Sequence, residues 1–184
     1  MIKRITGLIL AMSMLMSLLS CAVAEQGEKD YDKKEDATNA AEGESSILPD
    51  FTVYTEDGKK VSLYDKLDRP VVINFWATWC PPCKAELPAF DALAKEYGDR
   101  VEFMMVNMTD GERETVDAVL EFLRDNGYSF PVYYDTHMDA AMTYGVSSIP
   151  LTVFMTSEGK MTDYHVGAMT EDVIRGYIED LLNE

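Results

Sequence analysis

Val71-Val72-Ile73-Asn74-Phe75-Trp76-Ala77-Thr78-Trp79-Cys80-Pro81-Pro82-Cys83-Lys84 is the stretch that decides how this chain is read. The run Val71–Trp76 lacks apolar–polar alternation, which predicts a strand buried on both faces, as in the middle of a sheet covered by helices. Two cysteines separated by two prolines follow directly. Pro81 and Pro82 fit the first turn of a helix, where a missing N–H costs nothing. The cysteines therefore fall at a helix N-terminus, whose unpaired N–H groups favour a thiolate, and this is the arrangement of a thiol–disulfide centre. The competing readings are a purely structural disulfide and half of a zinc site. Against zinc, an ordinary site takes four N/S ligands, and Cys21, His137 and His165 lie far from the pair with no ligand spacing.

Downstream, Leu87, Phe90, Leu93, Ala94 and Tyr97 recur at intervals of three and four, so an amphipathic helix is expected from Pro81 to about Tyr97, kinked at Pro88 and ended by Gly98. Val101–Asn107 reads as a second buried strand. Glu112–Asp125, with Val116, Val119, Leu120 and Leu123 on one side, reads as a helix closed by Asn126-Gly127. A short strand is expected over Pro131–Tyr134, a short helix over Met138–Tyr144, and a strand over Leu151–Met155. A turn at Ser157–Lys160 leads into a strand over Met161–Val166. Thr170 is expected to cap a last helix that turns Val173, Ile174, Tyr177, Ile178 and Leu181 inward.

Upstream, Phe51–Tyr54 and Val61–Leu63 flank the turn Glu56-Asp57-Gly58-Lys59 and predict a β-hairpin set ahead of the main sheet. A helical turn is expected over Tyr64–Leu67. The order β-α-β-α-β-α-β-β-α after the hairpin implies an α/β fold with a mixed central sheet and helices on both faces.

The chain has 184 residues, 47% of them hydrophobic, which is enough for one domain with a real core plus extensions. A formal charge of −17 argues against nucleic acid as a partner, because phosphate backbones are bound through clustered Lys and Arg. Residues 1–20 read as an export signal: Lys3 and Arg4 precede the uncharged apolar stretch Ile5–Leu19. Leu18-Leu19-Ser20-Cys21 resembles the lipobox of bacterial lipoproteins, which makes Cys21 the candidate lipidation site and new N-terminus. The alternative is ordinary cleavage after Ala22-Val23-Ala24, giving a soluble secreted or periplasmic protein. Residues 21–46 are rich in Glu, Asp, Lys, Ala, Gly and Ser and read as an acidic flexible tether, leaving 47–184 as the folded domain.

Asn74-Phe75-Trp76-Ala77-Thr78-Trp79-Cys80-Pro81-Pro82-Cys83 resembles the thioredoxin superfamily, and within it the exported TlpA/ResA-like branch. Leu48-Pro49-Asp50-Phe51, Asp57-Gly58, Tyr144-Gly145-Val146, Ile149-Pro150 and Val166-Gly167 carry the same likeness in the same order. The resemblance implies a thioredoxin fold, extended by the leading hairpin and one inserted βα element, and thiol–disulfide oxidoreductase activity. By position, Cys80 resembles the exposed nucleophile, Cys83 the buried resolving cysteine, and Pro150 the cis-proline facing them. Ile149 would offer backbone groups to an extended client, and Trp79, Pro81 and Pro82 would support the site. Thioredoxins proper place a buried Asp where this chain has Asn74. Glu86, one turn after Cys83, matches the active-site acid of the ResA-like branch and is expected to assist deprotonation of the resolving thiol.

The activity implied is reduction of disulfides in exported clients, with cytochrome c maturation as one pathway of that kind. It needs no cofactor or metal beyond the Cys80–Cys83 pair, and it calls for a membrane electron donor of the CcdA/DsbD type, because dithiols outside the cytoplasm tend to oxidise. A monomer held to the outer face of the cytoplasmic membrane by its lipid is expected. Three other readings compete: an oxidant or isomerase of the same fold, a non-enzymatic binding module, and a peroxidase. The peroxidase reading needs P-x-x-x-T-x-x-C, but Ile73 and Ala77 stand at the Pro and Thr positions before Cys80.

Overall fold

The computed structural model describes residues 47–184, so the signal, Cys21 and the tether lie outside the described residues. In chain order the elements are β1 (Thr52–Tyr54), β2 (Lys60–Ser62), a 3-10 turn (Leu63–Lys66), β3 (Val71–Trp76), α1 (Pro81–Tyr97), β4 (Glu102–Asn107), α2 (Val116–Asn126), β5 (Val132–Tyr134), α3 (Asp139–Thr143), β6 (Leu151–Met155), β7 (Met161–Val166) and α4 (Glu171–Leu181). All seven strands form one sheet in the order β2-β1-β5-β4-β3-β6-β7. β3 runs parallel to β4 and antiparallel to β6, so the sheet is mixed.

Every residue of β3 and of β4 is buried, as an unbroken apolar run requires. One face of β3 sends Val72 and Trp76 into a core shared with Leu87, Phe90 and Leu93 of α1, Val119 of α2, and Ile174 and Ile178 of α4. The other face sends Val71, Ile73 and Phe75 against Phe51, Val53 and Ala140 of α3. Helices thus cover both faces, and the buried rings of Trp76 and Phe90 each hold on the order of 3–5 kcal/mol by truncation.

The leading hairpin does not stand ahead of the sheet. β1 pairs with β5 at Tyr54↔Tyr134, which makes the hairpin one edge of the same sheet, with the βα pair β5–α3 linking it to β4.

Local caps shift several ends. α2 begins at Val116 rather than at Glu112, because Thr115 Oγ1 takes the Ala118 N–H at 3.2 Å as N-cap. The residues before it are instead gathered by Asp110 Oδ1, which accepts the N–H groups of Glu112, Arg113 and Glu114 at 2.9, 2.8 and 2.9 Å. Gly127 closes α2 with φ 69°, the left-handed conformation glycine adopts without strain. Thr170 precedes α4 in extended geometry but makes no side-chain cap. Ser62 and Asp65 form a capping box around the 3-10 turn, which starts one residue earlier than the pattern predicts.

Candidate active site

β3 ends at Trp76, and Ala77–Trp79 carries the chain over the sheet edge into α1. Cys80 is the N-cap of that helix: its Sγ accepts the Cys83 N–H at 3.2 Å, where a Ser or Asp side chain ordinarily sits. Cys80 and Cys83 are joined as a disulfide. An N–H aimed at one sulfur, with the helix dipole behind it, stabilises negative charge on that sulfur once the bond is reduced. Cys80 is therefore the better thiolate. The expected exposure is not there: in the disulfide form Cys80 retains 3% of its surface and Cys83 none, because Met169 and the Ile149 loop pack close. Trp79, 38% exposed, lies open beside it, and Pro81, Pro82 and Lys84 face solvent.

The Ile149–Pro150 peptide is cis, and the Ile149 carbonyl oxygen lies 3.8 Å from Cys80 Sγ. The Ile149–Pro150 pair, just before β6, is thus brought to Cys80 at a separation of 69 residues.

Glu86 is 1% exposed, on the buried face of α1 one turn after Cys83. Its Oε1 accepts from Asn74 Nδ2 at 2.8 Å and its Oε2 from the Met169 N–H at 3.0 Å. Asn74 also donates to Thr152 Oγ1 at 3.0 Å, its partner across β3 and β6. Burial dominates these two donors and pushes the Glu86 carboxyl up to about 7, within reach of proton exchange at neutral pH. Asn74 does not titrate; it orients the acid that does.

Sequence reasoning missed Glu114, which is fully buried and tied to the active-site loop. Its Oε1 accepts from the Thr78 N–H and from Asn107 Nδ2, both at 2.7 Å, and its Oε2 from Thr78 Oγ1 at 2.6 Å. It also missed Arg113, whose guanidinium stands 4.0 Å over the Trp79 ring. The only local signal was a pair of charges just before the helix cap Thr115, and the contacts they make with the active-site loop span 34 to 36 residues. His137 and His165 take no part: His137 packs on Tyr54 and His165 on Tyr177.

A disulfide whose first sulfur caps a helix N-terminus, with the second buried behind it and a cis-proline loop brought against the first, can exchange with a partner's disulfide, so the protein is a thiol–disulfide oxidoreductase of thioredoxin fold. The chain belongs to the AhpC/TSA family, whose family model matches residues 45–164. It is 39% identical over 141 residues to the thioredoxin-like protein YneN of Bacillus subtilis, covering 77% of this chain and 79% of that protein. It is 37% identical over 136 residues to the thiol-disulfide oxidoreductase ResA of the same organism, covering 73% and 74%. Among solved structures it superposes on the exposed lipoprotein thioredoxin Etrx1 of Streptococcus pneumoniae with a TM-score of 0.60 at 34% identity, over 71% of this chain and 99% of that one.

Proposed function

We propose that the protein reduces disulfides of exported clients from outside the cytoplasmic membrane, where Cys21 anchors it through a lipid and residues 21–46 tether the domain. The observation that carries the direction of electron flow is the buried Glu86 behind the cysteines. A dithiol is oxidising when its thiolates are strongly stabilised. Here the helix N-terminus stabilises Cys80 alone, while an acid near Cys83 opposes a second negative charge. The balance favours giving electrons away.

In the reduced protein the Cys80 thiolate attacks a client disulfide, forming a mixed disulfide and releasing one client thiolate. Glu86 as carboxylate takes the Cys83 proton, and the Cys83 thiolate attacks Cys80 Sγ. The second client thiolate leaves, the client has gained two electrons, and the Cys80–Cys83 disulfide of this structure remains. Ile149 pairs the client backbone during the exchange, and Trp79, Pro81, Pro82 and Pro150 shape the surface it meets. No cofactor beyond the two cysteines is needed. A membrane donor of the CcdA/DsbD type regenerates the dithiol, and cytochrome c maturation is one pathway that such a monomeric reductant would serve.

The names of the relatives support the location: Etrx1 is an exposed lipoprotein. No helix among the described residues is long and apolar enough to cross a membrane. Trapping tests the proposal: Cys83→Ala should accumulate mixed disulfides through Cys80 with exported proteins in the membrane fraction, and Cys21→Ser should release the protein from that fraction. Capture of nothing, or a mature N-terminus at Glu25 without acyl mass, would overturn the reductase and the anchor respectively.

A further inference from the structure

In a chain of net charge −17, a cation sits at the lip of the active site. Arg113 is exposed, and its guanidinium covers the Trp79 ring next to Cys80. Its position is fixed by the residue after it. Glu114 is buried and accepts two hydrogen bonds from Thr78 and one from Asn107, so Arg113 and Glu114 grip Trp79 and Thr78, two consecutive residues of the loop that delivers Cys80. Asp110 fixes the other side of the turn, where one of its carboxylate oxygens takes the N–H groups of residues 112 to 114.

A guanidinium stacked on a ring contacts it with its face and keeps the N–H donors of its edge for another partner. Among the described residues no carboxylate lies within ion-pair distance of Arg113. Beside the stack a hollow of about 350 Å³ is lined by Trp79, Met108, Val146, Ser147, Ser148 and Ile149. Ile149 is also the residue whose carbonyl approaches Cys80 Sγ. A polypeptide whose disulfide reaches Cys80 therefore lies between an apolar hollow and a planar cation whose charge is felt by Asp110 of its own turn but which makes no ion pair there.

We propose that Arg113 is a specificity-determining residue that selects extended client segments carrying an Asp or Glu beside the reacting cysteine, with an apolar neighbour seated in the hollow. The inference rests on the reading of the protein as an exchanger of client disulfides. The guanidinium fork binds a carboxylate bidentately, which a neutral side chain cannot reproduce. Selection of acidic clients by an acidic protein also requires a local cation, because the overall field repels them.

The test uses the reduced full-length protein and three peptides that differ at one position, each a disulfide-linked dimer, with Glu, Gln or Lys next to the cysteine. Reduction is followed by chromatography in a single turnover, and the second-order rate constant is compared for wild type and Arg113→Gln. The Glu peptide should be preferred over the Gln peptide by about fivefold and over the Lys peptide by more, and the preference should shrink in about 0.5 M salt. In Arg113→Gln the three peptides should react within about twofold of each other. Equal rates for the three peptides in wild type, or a preference that survives Arg113→Gln, would overturn the role of Arg113 alone. Failure of wild type to exchange with any of them would overturn the disulfide-exchange reading as well.

Discussion

Asn74 Nδ2 donates to Glu86 Oε1 across 2.8 Å, from the central strand to the helix that begins with the cysteines. With the Met169 N–H on the other oxygen, the carboxyl is held from two sides in a buried site.

Stability should fall as pH rises past Glu86. The unfolded chain loses this proton near its ordinary value of 4.5, the folded protein only near about 7, so between those values the folded form binds more protons. The penalty is absent below the lower value and complete above the upper one, on the order of 3 kcal/mol. Urea midpoints of wild type and Glu86→Gln at about pH 4 and about pH 8 check this. The variant should lack the part of the alkaline loss that belongs to Glu86; identical slopes would contradict the burial argument.

The rate of resolving the mixed disulfide should rise through about pH 7 in wild type, since only the carboxylate accepts the Cys83 proton. Glu86→Gln should slow that step about tenfold or more at neutral pH and move its dependence toward the ordinary thiol range. Stopped-flow on a preformed mixed disulfide measures the step without the first attack.

Removing Glu114 strips three donors of their acceptor inside the protein. Glu114→Ala should cost about 2–4 kcal/mol in urea unfolding, whereas Thr78→Val, which loses one hydroxyl and keeps the backbone bond, should cost about 1. Equal costs would mean that the carboxylate does not organise the loop.

Alkylation of the reduced protein should mark Cys80 before Cys83. The first has an N–H on its sulfur and a trace of exposure, and the second is fully buried. Mass spectrometry after brief iodoacetamide treatment should find a single adduct on Cys80; first modification of Cys83 would reverse the assigned roles.

Much of this is legible in the residues themselves. Val71–Trp76 reads as a doubly covered strand, Pro81-Pro82 suit the opening of a helix, and the three-and-four spacing from Leu87 to Tyr97 marks its inner face. The hairpin's place in the sheet was not legible, because a single pairing, Tyr54↔Tyr134, decides it. The start of α2 was misread because acidic residues suit a first helical turn, yet Asp110 bends the chain there and Thr115 caps one turn later. Asn74 and Glu86 were each visible as a departure and a match, but that they touch is a fact of packing. Glu114 and Arg113 were invisible for the same reason: their partners Thr78 and Trp79 meet them only when β3 and β4 lie side by side.

The reduction potential of the Cys80–Cys83 pair, from equilibrium with a glutathione or dithiothreitol buffer at pH 7, tests the central claim most directly. A reductant of the kind proposed should lie near the thioredoxin value of about −270 mV, and a value near the about −120 mV of a strong oxidant would contradict it.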